Sequence, residues 1–316
     1  MRLSFAETQP IRIDKFLSNR PEVFSRSKLK DLFKKGQIRV NQKRVKKSYH
    51  LNPDDEIEFE PPTSRPQTYQ AQKVDFELLF EDKYLAVVNK PAGVVVHPGA
   101  GNKDQTLLNG LIYHFGQKQK EVTRCGIVHR LDKSTSGVMV ISKDEKTHSH
   151  LCDMFAKREV LKSYYAIVLG NLGGCGVIDS PIKRSSKNFR QMVVDFSGKK
   201  AFTRYCVKKQ FDGFSFLELF PKTGRTHQIR VHLASIGNPI LGDETYCGQK
   251  RAIKNVQFEK QKKMKYLFAN YLRRIALHSF RIEFCHPHSQ KKLSFRAELP
   301  TDIQYTLEFL EKTFSL

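Results

Sequence analysis

A proline-rich polar segment near the start of the chain most constrains how the protein can fold. The segment PPTSRPQTYQAQ, residues 61–72, has no apolar pattern suited to a packed helix or strand. We therefore predict a linker over residues 61–73, between a small unit at residues 1–60 and a larger domain at residues 74–316. A chain of 316 residues is long enough for both, with a substantial core in the larger one.

The overall charge indicates a polyanionic partner. The chain has 55 Lys and Arg against 32 Asp and Glu, a formal net charge of +23, which is typical of proteins that bind nucleic acid or an anionic membrane surface. No apolar run reaches the roughly 18 residues that a spanning helix needs, and the N-terminus lacks the layout of a secretory signal. We therefore expect a nucleic-acid partner, no membrane association and a cytoplasmic location.

The cysteines and histidines form no recognisable metal or redox motif. The six cysteines are far apart and include no C-x-x-C pair, so we expect reduced, mostly structural thiols. The HSH and HPH segments at residues 148–150 and 286–288 have no third ligand nearby, and the chain has no phosphate-binding loop or dinucleotide fingerprint. The sequence therefore predicts neither a metal nor a cofactor.

The first 60 residues are predicted to form a small αβ unit. Apolar residues at helical spacing predict helices within residues 11–20 and 25–36, the second ending at Gly36. Alternating apolar and polar residues predict short strands at residues 37–40 and 55–60.

A basic stripe runs through this unit from Arg26 to Lys47, where ten Lys and Arg accompany a single acidic residue. A solvated helix face is the simplest explanation of such a run. The stripe continues past the helix into the next strand and turn, however, which favours contact with a phosphate backbone. The candidate RNA-binding residues in it are Arg26, Lys28, Lys30, Lys34, Lys35 and Arg39.

The larger domain is predicted to be α+β with a largely antiparallel sheet, because its strands and helices do not alternate in a βαβ rhythm. Among the predicted strands are the apolar run before Lys90, a second run at residues 94–96, and GVMVISKD and KSYYAIVLG. The segment at residues 249–274 has nine Lys and Arg against Glu259 alone. We interpret it as a basic surface insertion.

Two segments of the larger domain contain candidate catalytic residues. GIVHRLDKSTSGVMVISKD places Asp132 beside two cations between apolar runs, where it is either a turn former or a reactive carboxylate. LFPKTGRTHQIRVHLASIGNPILGD predicts a strand-to-helix junction whose backbone N–H groups and arginines suit anionic oxygens. In KSYYAIV, Tyr164 and Tyr165 point to opposite faces of a strand, so one can face a pocket.

Taken together, HRLDKSTSG, KSYYA, KTGRTHQIRVHLASIGNPILGD and RRIALHSFRIEFCHP resemble the RluA-type pseudouridine synthases. Residues 11–60 resemble the S4-type RNA-binding domain that accompanies them. NKPAGVVVHPGAG and TLLNGLIYHF resemble the group of that family that acts on large-subunit ribosomal RNA. The resemblance implies isomerisation of uridine in RNA: the glycosidic bond is cut, the base turns, and it is rejoined through a ring carbon. The reaction needs no cofactor.

The same resemblance assigns roles to particular residues. Asp132 would be the catalytic carboxylate, acting as a nucleophile or as an acid–base group, and Arg230 would hold it ionised and oriented. Tyr164 would stack on the uracil and is a candidate to accept a proton, unless it is a core tyrosine. Arg130 would fill the gap left by the flipped nucleotide, unless it is a surface ion-pair partner. The remaining candidate substrate contacts are His129 and Arg225.

The resemblance also implies a partner. We expect large-subunit (23S) ribosomal RNA, free or within a pre-ribosomal particle, and a monomeric enzyme. Two alternatives remain open from the sequence: an RNA-binding ribosome-assembly factor whose catalytic site is vestigial or secondary, and the same chemistry on transfer RNA or another ribosomal loop.

Overall fold

The computed structural model describes residues 2–7, 9–18, 26–59, 69–99 and 101–316, with the side chains of residues 26–28, 30 and 31 also left undescribed. The chain divides into two compact units, Met1–Thr68 and Tyr69–Leu316. Most of the predicted linker, residues 61–68, lies outside the described residues. Residues 69–73 belong to the second unit, where the backbone N–H of Gln72 donates to the carbonyl of Asn109.

The described residues of the first unit form a four-stranded sheet in the order β1-β6-β3-β4, together with two helices and a separate β2–β5 pair. Alternation along β3 buries Ile38 and Val40 and exposes Arg39, as a two-residue period requires. Gly36 ends α2 with a φ of 66°. The elements are β1 (Arg2–Ser4), β2 (Ile11–Arg12), α1 (Ile13–Ser18), α2 (Arg26–Lys35), β3 (Ile38–Val40), β4 (Lys43–Arg44), β5 (His50–Leu51) and β6 (Glu56–Phe59).

The second unit is built on a nine-stranded sheet in the order β11-β14-β15-β10-β16-β9-β8-β7, with β17 also paired to β16. All its strand pairs are antiparallel except β9 with β16, which confirms the predicted α+β class with a largely antiparallel sheet. The strands are β7 (Glu77–Glu81), β8 (Leu85–Lys90), β9 (Ser136–Ser142), β10 (Leu161–Leu169), β11 (Cys175–Asp179), β12 (Ile182–Arg184), β13 (Met192–Val194), β14 (Phe202–Phe211), β15 (Phe214–Pro221), β16 (Leu277–Cys285) and β17 (Lys292–Arg296). The helices are α3 (Leu107–Phe115), α4 (Glu145–Lys157), α5 (Gln228–Ser235), α6 (Gly248–Lys254), α7 (Phe258–Asn270) and α8 (Thr301–Thr313).

Strand β9 is buried on both faces and fixes the loop before it. Met139 and Ile141 pack into the main hydrophobic cluster, whereas Val138 and Val140 pack into a second cluster on the other side of the sheet. Gly137, with a φ of 119°, lets the backbone approach β16 so closely that a Cβ would lie 2.2 Å from the carbonyl oxygen of Ser279. The loop that carries Asp132 therefore leads directly into a rigid central strand.

One predicted strand is absent. Residues 94–96 form no strand, because their carbonyl groups are used elsewhere: Val95 and Val96 accept from the first N–H groups of α3, and Val94 accepts from Lys90 Nζ at 2.9 Å. Helix N-termini leave such donors without an intrahelical partner, so this apolar segment anchors α3 rather than extending the sheet.

The expectation of six reduced cysteines was wrong for one pair. Cys175 and Cys206 form a disulfide, since the β11–β14 register places them directly opposite each other with their Cα atoms 4.0 Å apart. The other four cysteines are free. The pairing follows from register between two strands, which spacing along the sequence does not disclose. Across the described parts of the chain, no helix has the length and apolar character to span a membrane.

Candidate active site

A cavity of about 760 Å³ lies in the second unit, where the loop before β9 meets the start of β10 and the turn between β15 and α5. Of the described residues that line it, Asp132 is the one carboxylate. Seven cationic side chains line the same space: Arg124, Arg130, Arg158, Lys162, Lys222, Arg225 and Arg230. A lone carboxylate within a cationic pocket suits chemistry on a polyanion rather than cation binding.

Asp132 is held by an arginine that is itself anchored by a second carboxylate. Arg230 Nη1 donates to Asp132 Oδ2 at 3.0 Å, while Arg230 Nε and Nη2 donate to the two oxygens of Asp243 at 2.7 and 3.0 Å. Asp243 is fully buried, whereas the Asp132 side chain keeps 19% of its surface exposed. The two parallel hydrogen bonds to Asp243 fix the plane of the Arg230 guanidinium. The third nitrogen, Nη1, is left to donate to Asp132.

The charges around Arg230 favour its protonated form. Burial acts to lower the pKa of Arg230, but the hydrogen bonds and negative charges of Asp243 and Asp132 outweigh it and raise that pKa above its ordinary value. Asp243 Oδ1 also accepts from the backbone N–H groups of Thr245 and Tyr246 at 3.0 and 3.2 Å. Asp243 is therefore held from two directions and serves as a rigid support for Arg230.

Tyr164 faces the cavity from β10, and Tyr165 packs on the opposite side of the sheet against Phe216 and Phe280, with ring centroids 5.1 and 4.3 Å away. Burial raises the pKa of Tyr164 to about 12, and the nearby charge of Asp132 acts in the same direction. The phenol is therefore neutral at physiological pH, and its largely buried side chain borders the cavity.

The turn before α5 is organised by Gln228, which is buried. Its Oε1 accepts from Thr223 Oγ1 at 2.6 Å and from the backbone N–H of Arg225 at 3.0 Å, and its Nε2 donates to the carbonyl of Phe202. His227 precedes it in the left-handed region, with a φ of 54°, and its Nε2 lies 3.9 Å from Asp132 Oδ2. Burial lowers the pKa of His227, although the negative charge of Asp132 acts in the opposite direction.

The other predicted site residues of this unit also line the cavity, but in different ways. Arg130 is exposed and forms no salt bridge with a carboxylate in the described part of the chain. Arg225 is exposed and its Nε donates to the carbonyl of Lys200 at 3.2 Å. His129 has a structural setting, since its Nε2 accepts from the backbone N–H of Val140 at 3.0 Å and its ring stacks on Phe155.

The predicted contacts in the first unit lie at its surface where they are described. Lys34 and Lys35 are exposed in the last turn of α2, and Arg39 is exposed on β3. The side chains of Arg26, Lys28 and Lys30 lie outside the described residues.

Four residues of the site were missed by the sequence reasoning: Asp243, His227, Lys90 and Thr135. Lys90 is fully buried, and its Nζ donates to the carbonyls of Pro91 and Val94, beside the loop that carries Asp132. Burial lowers the pKa of Lys90 to about 7. Thr135 lines the cavity, and its buried hydroxyl has no hydrogen-bond partner among the described residues. Lys90 ends the mostly buried strand β8, so a charged residue at that position was an available signal, whereas Asp243 lies in a turn outside any strand.

No cluster of three or more His, Cys, Asp or Glu able to hold a metal ion occurs among the residues that the structure describes.

Comparison with known proteins finds two matching family profiles in this chain. The profile of the RNA pseudouridylate synthase family matches residues 84–235, and that of the S4 domain matches residues 11–57. A ribosomal large subunit pseudouridine synthase D of Zymomonas mobilis is 37% identical over 310 residues, covering 95% of this chain and 93% of the relative. An uncharacterized RNA pseudouridine synthase of Bacillus subtilis is 36% identical, covering 97% and 96%.

Among solved structures, human RNA pseudouridylate synthase domain containing 4 matches with a TM-score of 0.57 and 27% identity, covering 76% of this chain and 94% of that one. Because these matches cover most of the chain, they confirm the predicted fold and the predicted enzyme class, an RNA pseudouridine synthase. The chain belongs to the RNA pseudouridine synthase family and is an isomerase with an N-terminal S4 RNA-binding domain.

Proposed function

We propose that the enzyme isomerises specific uridines of large-subunit ribosomal RNA to pseudouridine, with Asp132 as its catalytic carboxylate. The observation that supports this most directly is the placement of Asp132, Arg230 and Tyr164 around one cavity whose other charged groups are cationic. The choice of ribosomal RNA rests on relatives named ribosomal large subunit pseudouridine synthase D, which match over nearly the whole chain.

Asp132 acts at the junction of ribose and base. Arg230 compensates its charge and fixes the direction of Oδ2, leaving Oδ1 free for the substrate. The reaction breaks the bond between the sugar carbon and the ring nitrogen and forms a bond to a ring carbon. That carbon loses a proton and the nitrogen gains one, so no atom is gained or lost overall.

Tyr164 stacks on the uracil and does not act as the base. Because its pKa is raised to about 12, the tyrosinate needed to accept a proton is scarcely populated near neutral pH. The buried hydroxyl of Thr135 is available for a hydrogen bond with the bound nucleotide. Arg130, which is exposed at the cavity and unpaired with any described carboxylate, occupies the space left when the uridine is extruded.

Replacing the carboxylate tests the mechanism. Asp132→Ala and Asp132→Asn are expected to abolish pseudouridine formation while RNA affinity stays within about tenfold, because Asp132 adds negative charge and no phosphate contact. Asp153→Asn, an exposed change on α4, provides the control. Turnover retained in both Asp132 variants would remove that residue from the mechanism.

Mapping the modified positions tests the substrate. Pseudouridines are mapped in cells that lack this protein, and the loss of specific sites in large-subunit ribosomal RNA is expected. Complementation with the Asp132→Asn variant should not restore them. Loss of sites in transfer RNA instead would place the same chemistry on another substrate.

The S4 domain contributes phosphate contacts. Replacing Lys34, Lys35 and Arg39 with alanine is expected to reduce the salt dependence of RNA binding, lowering the slope of log K against log salt by about 2 if each contacts one phosphate of a single strand. An unchanged slope would show that these exposed cations are only solvated.

A further inference from the structure

The basic segment at residues 249–274 includes the helices α6 and α7, and most of its positive charge is not paired with a carboxylate of the described residues. Two of its nine cations form ion pairs: Lys260 with Asp212 at 3.6 Å and Arg274 with Asp302 at 2.6 Å. The others form no salt bridge with any carboxylate in the described part of the chain. These seven exposed cations, here called the α6–α7 surface, are Lys250, Arg251, Lys254, Lys262, Lys263, Lys265 and Arg273.

Packing does not explain the accumulation. Helix α7 buries Met264, Leu267 and Phe268 against the core, and any polar residue would suffice on the opposite face. Instead Lys262 and Lys265 lie one turn apart on that face, a like-charge spacing that weakens a helix by a few tenths of a kcal/mol. No salt bridge to a described carboxylate offsets this spacing, which favours a partner that supplies negative charge.

Exposed aromatic rings are interleaved with these cations. Phe258 at the start of α7 is 87% exposed, and Tyr266, which follows Lys265, is 56% exposed. Such rings next to lysines are the arrangement on which unpaired bases stack while their phosphates are neutralised. Tyr271, just beyond the helix, stacks on Tyr305 with ring centroids 3.7 Å apart and ties this end of α7 to α8.

The α6–α7 surface is separate from the cavity. Of the described residues that line the cavity, none comes from residues 249–274. RNA held there would therefore be a segment other than the one that carries the target uridine. Contacts of this kind change the affinity for a long RNA and leave the chemical step on a short one unaltered.

We infer that the α6–α7 surface is a second RNA-docking site of the catalytic unit, which binds an unpaired segment of the substrate outside the cavity. The inference rests on the proposed function, because it assumes that a large structured RNA is the substrate. Its chemistry is electrostatic contact with phosphates together with base stacking on Tyr266.

The test is a triple variant in the full-length protein, Lys262→Gln, Lys263→Gln and Lys265→Gln. Its matched control removes the same charge from three exposed lysines elsewhere in the same unit, Lys118→Gln, Lys120→Gln and Lys146→Gln. Binding is measured with a long ribosomal RNA fragment and with a short stem-loop that contains one target uridine, and turnover is measured on both.

The α7 variant is expected to bind the long fragment about tenfold more weakly, with a salt slope smaller by about 2. Its kcat and KM on the short stem-loop should stay within about twofold of wild type, and the control triple should match wild type on both RNAs. Equal weakening in the control, equal weakening on the short RNA, or no weakening at all would overturn the inference.

Two further measurements separate the alternatives. Tyr266→Ala should weaken binding of an unpaired oligonucleotide at least about fivefold, whereas Tyr266→Phe should not, because stacking needs the ring alone.

Vesicles containing phosphatidylserine test a membrane partner, and loss of vesicle binding with unchanged RNA binding in the α7 variant would overturn the assignment to RNA. If the wild type forms no pseudouridine on either RNA, the proposed function fails, while the binding data still decide the docking site.

Discussion

Replacing Asp243 by asparagine tests whether Asp132 depends on a support that never touches the substrate. The two oxygens of Asp243 hold Arg230 Nε and Nη2, and the remaining donor of the guanidinium reaches Asp132. An asparagine side chain at this position would keep one oxygen for the N–H groups of Thr245 and Tyr246, but it would present an NH₂ group to the guanidinium in place of the second oxygen. The Arg230 guanidinium therefore loses one of its two hydrogen bonds to residue 243, together with the negative charge of that side chain.

The expected magnitudes follow from burial. Breaking a fully buried ion pair costs about 3 to 5 kcal/mol of stability, and the retained oxygen places this change near the lower end of that range. A guanidinium freed to shift by about 1 Å would misdirect the carboxylate, and a misplacement of that size reduces rates by on the order of 100-fold. Because Asp243 and Asp132 are carboxylates and make no contact with phosphates, we expect kcat to fall. The Kd for RNA should stay within about threefold of the wild-type value.

The measurements are single-turnover pseudouridine formation at saturating enzyme and urea unfolding of the same variants. Asp302→Asn is the matched control, because Asp302 holds Arg274 through a similar two-oxygen pair, at 2.6 and 2.8 Å, and does not line the cavity. The control should lose stability and keep its rate. A rate for Asp243→Asn within threefold of wild type, at a comparable loss of stability, would refute the positioning role.

Three further changes test the core and the cavity. Burial lowers the pKa of His278 to about 4 from its ordinary 6.5, so its contribution to the free energy of unfolding should be fully present above pH 6.5 and fall by about 3 kcal/mol by pH 4. Urea midpoints measured across this range should be less pH-dependent in His278→Gln than in the wild type, and an equal slope would contradict the assignment. Gly137→Ala places a Cβ against Ser279 and should cost at least about 3 kcal/mol in urea unfolding, whereas Gly173→Ala, with open space around it, should cost less than about 1 kcal/mol. Tyr164→Phe keeps the ring and should retain at least about a tenth of the single-turnover rate, whereas Tyr164→Ala should lose on the order of 100-fold; equal losses in the two would assign the hydroxyl, not the ring, to catalysis.

The sequence was sufficient where the signal is local or carried by a motif. Apolar spacing located β9 and β10, because most of the residues of each strand are buried. The same spacing failed at residues 94–96, an apolar run that resembles a strand, because its carbonyl groups bond to α3 and to Lys90 instead of a neighbouring strand. The pattern of apolar residues in the sequence indicates which side chains are buried. It does not indicate which partners the backbone N–H and carbonyl groups bond to.

The candidate site shows the same division. The motifs located Asp132, Tyr164 and Arg230, but the second carboxylate on Arg230 comes from Asp243, 13 residues beyond it, and is recognisable only once the chain has turned back after α5. A disulfide between two strands is hidden for a similar reason, since register rather than spacing brings its cysteines together. Contacts between residues that are brought together by the tertiary fold could not be predicted from the sequence alone.

The charges of the cavity explain how a carboxylate can act on an anionic substrate. Asp132, Arg230 and Asp243 together carry one net negative charge, which would repel an approaching phosphate if nothing offset it. His97 and His129 do not offset it, because burial lowers their pKa values to about 4 and about 3. The compensation therefore comes from the guanidinium groups of the exposed arginines that line the cavity. Lys90, beside the loop that carries Asp132, has its pKa lowered to about 7 by burial. RNA binding at the cavity should therefore change between about pH 6 and 8 chiefly as far as Lys90 loses its charge, which RNA affinities measured across that window would show.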